Sequence, residues 1–325
     1  ELIESNIKSV CYCYNKLKKH NEAIEFCKKT KETDKGYIHA IEQILYAYVY
    51  LEDNEKIFEQ FDFILKADPF NKSIYSIIAV YFTNKKDYEK AFEYLVKGDA
   101  NDVEKEILYL IITNVDDEKF YKKKIEYCNI YIKAITKDEK ISSNEHYEEI
   151  LDELIFTYYK MGNYHKTIEY YKELKDLHDK HYDYFNPEQI FEYLDFLMKF
   201  VVISYIKVKN YDEGIKTIKS FIQEEYNFEK LYLFLGILYF FKNEYETSLK
   251  NLNKIQKSEE ISFDFISNII KSSKTFDFEK TKEYISQFTN ETEEFSQLYD
   301  EITNLEFDES FFQNIILKSL EILEV

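Results

Sequence analysis

Apolar and polar positions follow a helical period along most of the chain, and one stretch departs from it. Leu231 to Phe241, LYLFLGILYFF, is apolar at every position except Gly236. The run falls short of the roughly 20 residues a bilayer span needs, and Lys242-Asn243-Glu244 follows at once. Beyond that turn, Tyr245, Leu249, Leu252 and Ile255 keep helical spacing through a second segment. The pattern predicts helix, short polar turn, helix.

The hairpin recurs. Aligning one position of each second helix gives Ala23, Ile57, Ala91, Lys124, Thr167, Gly214, Ser248 and Thr281, separated by 34, 34, 33, 43, 47, 34 and 33 residues. Nine residues before six of these markers stands a large aromatic: Tyr14, Tyr48, Phe82, Tyr158, Tyr205 and Tyr239. The two long steps hold polar insertions, near 136–147 and 175–189. A period of 34 carried by a helical hairpin marks a solenoid, in which no unit buries its apolar face alone.

The fifth unit reads Leu151, Leu154, Ile155, Tyr158, Gly162, Tyr164, Thr167, Tyr171, and the seventh Tyr232, Leu235, Gly236, Tyr239, Tyr245, Ser248, Leu252. The second closes on Asp68-Pro69. In these positions the chain resembles the tetratricopeptide repeat (TPR) family over about residues 4 to 288. The fourth unit departs from the pattern at Val115 and Lys124, and the eighth is degraded. The resemblance implies an all-α, right-handed superhelical solenoid of about eight TPR-like hairpins with C-terminal capping helices. The expected organisation is four repeats in 1–135, four more in 136–290, and capping helices in 291–325.

In that family the first helix of each hairpin lines a concave groove that receives peptides or partner helices. Positions fifteen, eleven and eight before each marker share one helical face. They read Lys8, Tyr12, Asn15; Glu42, Tyr46, Val49; Ser76, Val80, Thr83; and Tyr109, Thr113, Asp116 in the first four units. Later units give Asp152, Phe156, Tyr159; Lys199, Ile203, Ile206; and Leu233, Ile237, Phe240. The expected partner-binding residues are Tyr46, Tyr109, Phe156, Tyr159, Ile203, Ile206, Leu233, Ile237 and Phe240. The stripe grows more apolar toward the C-terminus, which places the expected anchors in the second half.

Composition supports helices and narrows the function. Glycine (5) and proline (2) are too scarce for a turn-rich β fold. The net charge is −19 and every one of the 43 basic residues is lysine. A phosphate backbone is repelled and the bidentate arginine fork is missing, so nucleic acid is not an expected partner. The same lack of arginine, with Tyr12 where a cochaperone clamp carries Asn, argues against capture of chaperone tails. The first residues, ELIESNIKSV, hold no basic n-region or apolar h-region, so a cytoplasmic protein with no membrane partner is expected. Cys11, Cys13, Cys27 and Cys128 read as reduced thiols.

No phosphate loop or nucleophile motif is present, and neither an enzyme nor a cofactor is expected. His178 and His181, an i, i+3 pair among carboxylates, are the only candidate metal ligands, and their setting fits a charged surface loop. The expected function is a non-catalytic scaffold that binds a peptide or helix of a partner protein. The alternative is a peptide-sensing regulator of the bacterial pheromone-receptor type without its DNA-binding domain. After the last repeat, Phe311, Phe312, Ile315, Ile316, Leu317, Leu320, Ile322 and Leu323 make a helix more apolar than one docking face requires. It is expected to cap the solenoid or to form a homodimer contact.

Overall fold

One local device closes the hairpins. Lys18, Glu52, Lys86, Gly162, Lys209 and Asn243, each five residues before its marker, take the left-handed conformation with φ between 56° and 71°. The next residue then donates its backbone N–H to the carbonyl of the aromatic nine before the marker. Lys19 bonds Tyr14, Asp53 bonds Tyr48, Asp87 bonds Phe82, Asn163 bonds Tyr158, Asn210 bonds Tyr205 and Glu244 bonds Tyr239, at 2.9 to 3.2 Å. This is the Schellman ending of a helix, and it satisfies carbonyls that the helix terminus leaves orphaned. The second helix starts at once. Asp53 and Asp87 cap it by accepting from the backbone N–H groups of Lys56 and Lys90.

The computed structural model describes residues 2–34, 36–99, 103, 105–136, 146–181, 187–223, 229–255, 261–273, 278–288, 292–303 and 310–322, and side chains at all of these but 2–8, 180–181, 187–195, 223, 261–263, 278–280 and 303. It is all-helical among the described residues. Successive hairpins are α1 (Leu2–Lys16) with α2 (His20–Cys27), α3 (Tyr37–Tyr50) with α4 (Asn54–Ala67), α5 (Ser73–Asn84) with α6 (Tyr88–Gly98), and α7 (Lys105–Asn114) with α8 (Tyr121–Thr136). Next come α9 (Tyr147–Lys160) and α10 (Tyr164–His181), α11 (Pro187–Lys207) and α12 (Tyr211–Gln223), and α13 (Glu229–Phe241) and α14 (Tyr245–Leu252). The last are α15 (Ile261–Ser273) and α16 (Phe278–Ser286), then α17 (Glu293–Thr303) and α18 (Phe311–Ile322). These are stacked TPR-like hairpins.

The chain folds as two compact units, Glu1–Glu153 and Leu154–Val325. In the first, the leading helices α1, α3, α5 and α7 pack on one another in order; in the second, α11, α13 and α15 do. Small residues set how closely paired helices approach. Ala79 and Ala91 are fully buried. A Cβ on Gly236 would lie 2.5 Å from a Leu252 methyl, and Ser248 donates to the Gly236 carbonyl at 2.6 Å. The fourth hairpin departs as its sequence does: Lys124 is buried, donating to the Val115 carbonyl at 2.8 Å and pairing with Glu153 at 2.5 Å.

Residues 137–145 and 182–186 of the two insertions lie outside the described residues. The described part of the second is an extension of α10 to His181, and Pro187 opens α11 at the first helical position, where its missing N–H costs nothing. The thiol expectation is corrected. Cys11 and Cys27, both buried, form a disulfide that ties α1 to α2, their Cα atoms 6.0 Å apart. Cys13 is an exposed free thiol, and burial pushes the enclosed Cys128 thiol up to about 12.

Candidate functional site: the groove of the first unit

Along α1, α3, α5 and α7 the pattern positions converge. Tyr12, Asn15, Glu42, Tyr46, Ser76, Val80, Tyr109 and Thr113 line one cavity of about 580 Å³. Tyr46 and Tyr109 are both half-buried there. The stripe was less accurate at its third position. Val49 is buried in the core, Thr83 turns its hydroxyl to the Ala79 carbonyl at 2.9 Å, and Asp116 is exposed, accepting from the Tyr88 hydroxyl at 2.7 Å. Tyr50, Gln43, Lys16 and Lys72 also line the cavity and were not anticipated. Tyr50 was legible: it stands one turn beyond Tyr46 on the same face.

The walls are polar and aromatic, and they are cross-linked. Asn15, nearly fully buried, donates to the Gln43 carbonyl at 2.9 Å and lies 3.1 Å from the His20 ring. His20 stacks on Tyr50 with ring centres 5.0 Å apart, and Tyr46 donates to the Tyr50 hydroxyl at 3.1 Å. Burial lowers the His20 pKa, because the packed ring is poorly placed to carry charge. Tyr109 hydrogen-bonds Glu149 and stacks on His146, which holds its ring at the cavity edge. Burial and that carboxylate raise the Tyr109 phenol.

Glu42 is the buried charge of the site. Its side chain is 9% exposed, and it accepts from Asn71 at 2.6 Å and Ser73 at 2.9 Å, with His39 Nδ1 3.0 Å from its other oxygen. The lining lysines are engaged elsewhere: Lys16 sits 5.2 Å from the Tyr12 ring centre, and Lys72 pairs with Asp99 at 3.6 Å.

The second unit places the corresponding stripe differently. Ile203, Ile206, Leu233, Ile237 and Phe240 are buried, none exposed by more than 4%. Phe156 and Tyr159 remain half-buried, packed against Phe200 with ring centres 5.6 and 4.8 Å away. In the same unit α18 packs on α11 and α15, the leading helices on either side of α13. It turns Phe311, Phe312, Ile315, Ile316 and Leu320 inward, and Glu321 reaches Lys207 of α11 at 3.1 Å. The five buried positions are corrected from groove to core.

His178 is buried in α10, and the side chains of His181 and Asp183 lie outside the described residues. No group of three metal-ligating side chains forms among the described residues, and no helix among them is long and apolar enough to cross a membrane.

No protein-family model and no curated protein matches the chain. Among solved structures it is similar to MamA MSR-1 C2 at 14% identity and a TM-score of 0.39, over 55% of this chain and 99% of that one. It is similar to PilF of Pseudomonas aeruginosa at 15% identity and 0.36, over 67% and 89%. It is similar to the apo form of RapI at 12% identity and 0.49, over 98% of both chains.

Proposed function

We propose that the protein is a non-catalytic interaction module that captures an extended peptide segment of a partner in the groove of α1, α3, α5 and α7. The observation that carries this reading is the 580 Å³ cavity lined by tyrosines, Asn15, Gln43, Ser76 and Thr113. Its volume falls within the range of about 300–1,000 Å³ typical of ligand sites. An extended segment leaves its backbone N–H and C=O groups unpaired, and polar side chains on the wall supply their partners. A helix satisfies its own backbone and needs an apolar stripe instead, which is what α18 finds in the second unit. Tyrosine rings bury large area at small entropic cost and serve as anchors.

The test is binding of random dodecapeptides displayed against the whole chain, with selected peptides then measured on Tyr46→Ala and Tyr109→Ala. Each substitution should weaken the groove binders at least tenfold while the helical signal holds and the melting temperature falls by a few degrees at most. Peptides that bind the variants as tightly as the parent chain would place recognition elsewhere.

A further inference from the structure

We infer that the peptide presents a cationic group to Glu42: the ammonium of a lysine, the guanidinium of an arginine, or a free N-terminal amine. This rests on the proposed peptide groove and names the chemistry it selects.

The argument begins with the carboxylate. Glu42 lines the cavity yet is almost fully buried. Asn71 and Ser73, which hold one of its oxygens, are neutral donors, so they satisfy lone pairs without balancing the charge. His39 approaches the other oxygen from a half-exposed position. Two carboxylate oxygens offer about four acceptor sites, so these three contacts leave room for one more donor. An anion shielded from water gains most from a donor that carries charge.

The rings make the same demand. Tyr46 stands one helical turn from Glu42 on the same face, and Tyr12 and Tyr50 line the same cavity. Tyrosine faces attract cations, and the chain already uses one this way, holding Lys16 over Tyr12. The cavity's own cations do not neutralise Glu42, since Lys16 lies on a ring and Lys72 pairs with Asp99. Beyond the site, a net charge of −19 speeds the approach of a basic segment and slows that of an acidic one.

The experiment uses the full chain and random dodecapeptides, keeping only those whose binding depends on Tyr46. These should be enriched in lysine, arginine or a required free amine. The best binder is then measured on the parent chain and on Glu42→Gln, whose amide oxygen can still accept from Asn71 and Ser73. Glu42→Gln should weaken binding at least tenfold, whereas exposed Glu55→Gln on α4 should change it less than twofold. Replacing the peptide's lysine by norleucine should weaken it as much on the parent chain and add little on Glu42→Gln. N-acetylation of the same peptide separates a side-chain cation from a terminal amine. Norleucine and acetyl peptides keep the test decisive even where Glu42→Gln lowers the melting temperature. Tyr46-dependent peptides that lack any required cation would overturn the inference and leave the groove standing. A selection that yields no Tyr46-dependent peptide would overturn the groove, and the inference with it.

Discussion

Positions of the repeat stripe line a cavity in the first unit, whereas most of their counterparts in the second are buried in its core. In the first, the face carries Tyr12, Asn15, Glu42, Tyr46, Ser76, Tyr109 and Thr113, side chains that tolerate water. In the second it carries Ile203, Ile206, Leu233, Ile237 and Phe240, and α18 is folded against the neighbouring helices. The difference teaches how a repeat protein keeps a surface open to solvent. A contiguous apolar groove left in water is an aggregation liability, so it ends up covered. A polar, aromatic groove costs little to leave open and can bind reversibly. High apolarity along the stripe went with burial in the second unit rather than with an open cavity.

The largest test of this contrast is removal of α18. Phe311, Phe312, Ile315, Ile316 and Leu320 each contribute about 1.5–3 kcal/mol on burial, a gross term comparable to the ~5–15 kcal/mol that stabilises a whole domain. A chain ending at residue 310 should lose the cooperative melting of the second unit and bind a hydrophobic dye. Unaltered melting and no dye binding would mean that α18 covers nothing essential.

Next in size is a pair of truncations on the stripe, one in each unit. Phe240→Ala, in the covered core, should cost about 3–5 kcal/mol of stability. Tyr46→Ala, on the open cavity, should cost about 1 kcal/mol or less, its effect appearing in peptide binding instead. Denaturant unfolding of the two variants decides it, and equal losses would erase the distinction between the units.

A smaller effect probes the hairpin contact itself. Gly236→Ala gains about 1 kcal/mol of helix propensity but forces Leu252 aside in a tight core, an overpacking that costs about 1–3 kcal/mol. The net should be a loss of about 1 kcal/mol, read as a lower denaturation midpoint; a rise would show that Leu252 moves freely.

The smallest concerns His20. Its pKa is lowered in the folded state, so the unfolded chain binds the proton more readily. The stabilising contribution is present above the unfolded value near 6.5 and fades as pH falls through it. Melting of the parent chain should drop more between pH 7.5 and 5.5 than melting of His20→Gln. Equal drops would show that the packing of His20 on Tyr50 carries no proton linkage.

Much of the molecule was legible because its determinants are local. The aromatic nine before six of the markers, whose carbonyl receives the Schellman bond, and the small residues at helix crossings sit at fixed offsets. A fixed offset is enough when the interaction spans one turn or one hairpin. The positions that line the first groove were legible for the same reason, since Tyr12, Tyr46, Val80 and Thr113 are one register repeated. Tertiary structure alone decided the rest. Cys11 meets Cys27 because α1 and α2 fold together, which cysteine spacing does not state. Glu42 is held by Asn71 and Ser73, at the start of the following hairpin, so its burial depends on stacking. Above all, α18 returns to α11 and α15 across a long stretch of chain. Periodicity says which way a side chain points along its helix; only the assembled fold says whether solvent, a ligand or the chain's own last helix stands on that side.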